Sequence, residues 1–170
     1  MSRKPSKRVR YQDRSDARRL ALQILYQSEM MEESPVAIVE ESRYVAEEGI
    51  PSEYAKQLLQ GVAEHQEEID DQVRAVSENW TLTRMPAVDR SLLRLSVYEM
   101  LYVDDVPLSV SINEAVELAK GFGGEDDSHR FVNGVLGRIA RAIERKTQNS
   151  ADIAGEAAYS KTTTEHPVQE

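Results

Sequence analysis

Apolar positions recur at intervals of three and four residues along most of this chain, the spacing that lines up one face of a helix. Leu20, Ile24 and Gln27/Met31 fall on one line with Ala21 and Leu25 beside it, which predicts a first helix from about Asp16 to Met31. Ser34-Pro35 combines a capping residue with proline at the first helical position. It opens a second helix whose Val36, Ile38, Val39 and Val45 lead to a stop at Gly49. Pro51-Ser52-Glu53 starts a third, with the stripe Tyr54, Leu58, Val62, Ile69, Val73 and Val76 and a bend between Gly61 and Glu64. Residues 79–85 lose the periodicity and lead to Pro86. From there Val88, Leu92, Leu95, Val97 and Met100 describe a strongly apolar helix ending near Val103.

Asp104-Asp105-Val106-Pro107 reads as a turn, with Ser109 or Ser111 placed to cap the helix that carries Ile112, Ala115, Val116 and Ala119. Gly121 is expected to end it in the left-handed conformation. After a glycine-rich polar loop, Asp127 or Ser128 caps a last helix with a buried face of Phe131, Val132, Val135, Leu136, Ile139 and Ile143. Gly134 costs about 1 kcal/mol against alanine inside a helix, so it implies close approach of another helix, the one bearing Ala115 and Ala119. Asn133 would satisfy a backbone group at that crossing. The pattern predicts an all-α fold, a compact bundle of six or seven helices. Residues 1–12 are expected as a disordered basic arm, 13–146 as the helical domain and 147–170 as a disordered polar tail.

Composition sharpens this picture at three points. No apolar run is long enough to span a bilayer and no apolar segment follows the first basic residues, so neither membrane span nor secretory signal is expected. The absence of cysteine excludes a disulfide framework and fits a reducing, cytoplasmic compartment. Residues 1–19 carry eight Lys or Arg against two acids, a net of +6 within a total of −9, which leaves −15 on the remainder. A basic arm on an acidic body is the footprint of phosphate binding, and the acidic body confines nucleic acid to that patch. The bland alternative is a solubilising tail. Arg14, Arg18 and Arg19 extend the charge onto the first helix and favour nucleic acid, with Arg8 and Arg10 in the arm itself.

Candidate chemistry elsewhere is thin. Phe122 either stacks on a base or packs under the loop, and Arg130 is its basic neighbour. Glu125, Asp126, Asp127 and His129 lack the ligand spacing of a calcium loop and the ligand types of a zinc site. Asp89, Glu99, Asp104 and Asp105 have no nucleophile or phosphate loop to serve as acid–base partners, and Asp89 suits the dipole of its helix. His65, His129 and His166 sit at no triad or ligand spacing. No dinucleotide or Walker loop is present. The residues therefore predict no enzyme, no metal and no cofactor.

Five segments carry a family resemblance: 21–26 (Ala-Leu-Gln-Ile-Leu-Tyr), 89–99 (Asp-Arg-Ser-Leu-Leu-Arg-Leu-Ser-Val-Tyr-Glu), 105–107 (Asp-Val-Pro), 112–120 (Ile-Asn-Glu-Ala-Val-Glu-Leu-Ala-Lys) and 131–136 (Phe-Val-Asn-Gly-Val-Leu). They resemble the NusB family of bacterial transcription antitermination factors over about residues 14–145. The resemblance implies two packed helical sub-bundles and binding of single-stranded boxA RNA in ribosomal RNA operon leaders. It implies two partners, the ribosomal protein NusE and the RNA polymerase antitermination complex. By position it places RNA contact around Arg10, Arg14 and Arg18, with Arg19 where an acid often stands in the family. It places the NusE face near Tyr26 and Asp89. The family's loop acid falls at Asp127, or at Asp126 because this loop is one residue longer than the usual form. A helical RNA-binding module of the kind carried by ribosomal RNA cytosine methyltransferases, and a homodimeric interaction module, are the alternatives.

Overall fold

A computed structural model describes residues 7–44, 49–78, 80–122 and 127–162, the backbone alone for 7–12 and 156–162. Six helices are arranged as α1 (Lys7–Met31), α2 (Pro35–Glu40), α3 (Glu53–Val76), α4 (Ala87–Tyr102), α5 (Leu108–Phe122) and α6 (Ser128–Thr162). A 3₁₀ turn, Leu82–Arg84, precedes α4. α1, α2 and α3 pack on one another, as do α4, α5 and α6, and α4 joins the two groups by also packing on α1 and α3. That position explains its composition. Leu92, Leu93, Leu95, Val97 and Met100 are all buried, and so are Asp89, Ser91, Ser96 and Glu99 on the same helix.

Several helix ends differ from the sequence pattern, each for a local reason. α2 ends at Glu40 rather than Gly49, because Ser42 adopts a positive φ of 52°. Ser42 N–H then reaches Val39 O and Arg43 N–H reaches Ile38 O, the paired bonds of a Schellman motif. α1 ends at Met31, where the spacing predicts it, and closes in the same way on Glu32, at φ 54°, with Glu33 N–H on Ser28 O. Neither terminator is glycine, so neither announces itself in the sequence. α3 begins as expected, with the Ser52 hydroxyl accepting from Ala55 N–H. Its bend falls at His65, next to the predicted stretch.

Gly121 does not stop α5, which runs through it to Phe122. Neither Ser109 nor Ser111 caps α5, since both lie inside it, and the Pro107 carbonyl accepts the first bonds, from Val110 and Ser111. At α6 the Asp127 carbonyl accepts from Arg130 and Phe131, while Ser128 is buried and donates to Asp89 Oδ1.

The crossing expected at Gly134 is absent: Asn133 and Gly134 face outward, and a Cβ built on Gly134 would meet nothing within 4 Å. The close approach belongs to Gly61 instead, where a Cβ would overlap the Tyr98 ring. α1 starts at Lys7, so residues 7–12 continue a helix where an arm was expected, while residues 1–6 lie outside the described residues. Once residues from Asp13 on are packed as helix, adding residues free of Gly and Pro costs little, because nucleation is already done. α6 likewise continues to Thr162 through the alanine-bearing stretch 151–158, past Lys146 where a tail was expected. The remainder of that tail, 163–170, lies outside the described residues.

Candidate functional site

Arg14 and Arg18 sit one turn apart on α1, as the spacing requires, yet they meet opposite environments. Arg18 is 4% exposed. Its Nε donates to both carboxylate oxygens of Glu99 on α4, at 3.1 and 2.8 Å. Glu99 also accepts from Ser111 Oγ on α5 at 2.6 Å and from the Tyr54 hydroxyl on α3. Glu114 stands 3.7 Å from Arg18 Nη1 and accepts from Ser15 Oγ at 2.9 Å. A carboxylate buried in the core is tolerable only with a cation and a full set of donors. Arg18 is that cation, and the network ties α1, α3, α4 and α5 together. Burial, and then the bond to Glu99, push the Tyr54 phenol well above its usual range.

The expectation that Arg18 reaches phosphate is therefore overturned, since its guanidinium is enclosed. Arg14 is half-way out. Its Nη2 pairs with Asp105 at 2.8 Å and its guanidinium lies 4.5 Å from the Tyr54 ring centroid. The hydrogen bond to Asp105 raises the Arg14 pKa, and the same bond lowers that of Asp105.

Arg19, one residue on, is exposed and lies 5.6 Å from the Phe122 ring centroid. Phe122 in turn is partly buried at the end of α5 and lines a groove of about 480 Å³ with Leu22, Tyr26, Met30, Met31 and Val88. Tyr26, Met30 and Met31 are 40%, 54% and 44% exposed, so this is an open apolar surface beside a cation. The structure thus brings Phe122 and Tyr26 together on one groove. Asp89 is not on it. Its carboxylate is buried and holds Ser128, so the expected partner-contact role is corrected to anchoring the start of α6; its neighbour Val88 lines the groove.

Asp127 and Arg130 are both strongly exposed and pair at 3.6 Å. Residues 123–126, including the alternative acid Asp126, lie outside the described residues, as do the side chains of Arg8 and Arg10 on the first turns of α1. Sequence reasoning missed a second, part-buried pair, Arg94 with the buried Asp70, whose two bonds of 2.8 and 2.9 Å clamp α4 to α3. It also passed over Trp80, which is exposed against Phe131 and whose only sequence signal is a lone tryptophan in a polar segment. Among the described residues no group of three or more His, Asp or Glu could hold a metal ion, and no helix is long and apolar enough to cross a membrane.

A helical core tied by a buried ion pair, with exposed arginine on α1 and an apolar groove left open, is the architecture of an all-α binding module. The sequence pattern of the NusB family matches residues 15–141. A transcription antitermination protein NusB of Geobacillus kaustophilus is 48% identical over 132 residues, covering 78% of this chain and 98% of that protein. Its counterpart in Salinispora arenicola is 43% identical over 134 residues, 78% of this chain and 98% of that protein. Among solved structures, NusB of T. maritima superposes with a TM-score of 0.64 at 38% identity, covering 75% of this chain and 90% of that one. A crystal structure of antitermination factors NusB and NusE in complex with double-stranded RNA also superposes at 0.64, with 30% identity, 77% of this chain and 98% of that one. The chain belongs to the NusB family.

Proposed function

We propose that this chain is a non-catalytic transcription antitermination factor of the cytoplasm, which binds boxA RNA of ribosomal RNA operon leaders together with NusE and supports processive RNA polymerase. The observation that carries the reading is the match along nearly the whole helical domain to proteins of that name, one of them solved with NusE and RNA. The surface is consistent with two tasks. Arg8 and Arg10 on the first turns of α1, Arg19 further along it and Arg130 at the start of α6 supply phosphate contacts, with Arg14 contributing if it leaves Asp105. The groove at Tyr26, Met30 and Met31 supplies apolar area for the NusE protein. Asp127, which pairs with Arg130 at 3.6 Å, joins it at the edge of this RNA surface.

Each phosphate neutralised on a single strand contributes about −0.7 to the log–log salt slope, so four contacts give roughly −3. The test is titration of fluorescent boxA RNA with the full chain, with and without NusE, across salt. Tighter binding with NusE and a preference for boxA over a scrambled strand support the reading. Equal binding of both strands, unaffected by NusE, refutes it. Light scattering in the same samples reports whether the groove is instead covered by a second copy of the chain.

A further inference from the structure

Arg10, Arg14 and Arg18 stand one turn apart on α1, each about 6 Å further along its axis than the last. Arg18 is sealed into the core by Glu99, with 5% of its side chain accessible. Arg14 is therefore the last cation of this row that a phosphate can reach, and it is already engaged. One 2.8 Å bond runs from its Nη2 to Asp105 Oδ2, on the turn between α4 and α5. The pair is far from sealed: 34% of the Arg14 side chain and 68% of the Asp105 side chain are accessible. The Tyr54 ring, with its centroid 4.5 Å from the guanidinium, supports Arg14 independently of that bond.

We infer that Asp105 is a built-in competitor for phosphate: it occupies the Arg14 guanidinium in the free protein, and a bound RNA strand displaces it. The inference rests on the RNA-binding function proposed above and names a brake on it. An exposed ion pair holds its partners weakly, because water and salt screen both charges. A phosphate can engage the guanidinium by two parallel bonds where Asp105 uses one, and its binding also releases counterions from the strand. The exchange thus favours RNA that presents a phosphate at Arg14, while Asp105 lowers the occupancy of strands that do not. A purely structural clamp is built differently. Arg94 and Asp70, which tie α4 to α3, use two bonds, and only 16% and 9% of their side chains are accessible. Loss of the Arg14 bond would leave no buried charge unpaired, since Glu99 keeps Arg18, Tyr54 and Ser111.

The experiment titrates fluorescent single-stranded boxA RNA with the full chain at low salt. It compares the parent with Asp105→Asn, Asp104→Asn, Arg14→Ala and the Arg14→Ala/Asp105→Asn double variant. Asp104 is the neighbouring exposed acid and reports the effect of deleting a negative charge alone. Asp105→Asn should tighten RNA by about two- to fivefold, the range of an exposed ion pair, and by more than Asp104→Asn does. On the Arg14→Ala background that extra gain should vanish, which is the coupling a double-mutant cycle isolates. Both acids are exposed, so circular dichroism and melting temperatures should match the parent, and they are compared first. Weaker RNA binding by Asp105→Asn overturns the inference and makes Asp105 a positioning residue for Arg14. A gain no larger than that of Asp104→Asn, or one that persists without Arg14, also overturns it and leaves only the general field of the surface. In each of these cases RNA binding by the parent stands. If the parent binds no boxA RNA, the proposed function falls and the competition with it.

Discussion

Arg18 shows how one side chain can be read correctly for charge and wrongly for purpose. Its Nε bonds both oxygens of a buried Glu99, and neither group touches bulk water. Removing the cation leaves a carboxylate without its countercharge in the core, so Arg18→Ala should lower unfolding stability by about 3–5 kcal/mol. Arg19→Ala, one residue away but exposed, should change stability by less than about 0.5 kcal/mol. Urea unfolding of the two variants side by side checks this, and equal midpoints would sink the assignment.

Tyr102 offers a test by pH. Its hydroxyl donates to Glu68, and chiefly because of that bond its pKa is raised from 10.0 to about 12. A phenol raised on folding is stabilising while protonated. Its contribution is therefore complete below pH 10 and lost as pH climbs through about 12. Absorbance titration of the folded protein should show a tyrosinate forming near pH 12 that is missing in Tyr102→Phe, and an unchanged titration would refute the Glu68 contact.

Helix existence was legible in the apolar spacing, and helix ends less evenly: Gly121, a recognised terminator, lies inside α5. Ser52 and the Pro107 turn were found because capping and proline chemistry is local. The end of α2 was not, because Ser42 takes a conformation that sequence rules assign to glycine, whereas α1 ends at Met31 as its apolar spacing predicts. Left-handed geometry costs a residue with a Cβ roughly 1–2 kcal/mol, and the Schellman bonds at Arg43 and Ser42 hold it in place. Ser42→Gly should therefore stabilise the protein by about 1 kcal/mol less the added unfolded-state entropy, visible as a small rise in melting temperature. A fall would mean the Ser42 side chain contributes something beyond its backbone.

Two of the helical glycines make the same point: Gly134 looked like a crossing and is open, while Gly61 looked like a bend and carries the tight contact with Tyr98. Periodicity says that a glycine is inside a helix but not which neighbour faces it. The buried polar network of Glu99 was invisible for a related reason, since its members lie on four helices and only tertiary packing assembles them.

At the scale of the whole molecule the reading proposed above gives RNA to the arginine-bearing helix and NusE to the apolar groove, a division that can be measured. Arg19 stands at the boundary, its guanidinium over Phe122 and its charge on the arginine-bearing helix. Tyr26 and Met30 lie wholly on the apolar side. If the groove receives NusE, Tyr26→Ala with Met30→Ala should remove a cluster of exposed aromatic and thioether area, costing about 2 kcal/mol of NusE affinity. The isolated protein should bind boxA RNA unchanged, with the same salt slope. Arg19→Ala should do the reverse, weakening RNA at low salt and making the slope shallower by about 0.7 while NusE binding alone holds. Because Tyr26 and Arg19 are both exposed, neither change should disturb folding, and circular dichroism confirms that before affinity is compared. Should the Tyr26/Met30 pair weaken RNA binding in the absence of NusE, or Arg19→Ala weaken NusE binding in the absence of RNA, the two surfaces are one. The ribonucleoprotein would then have to assemble on a shared face instead of two adjoining ones.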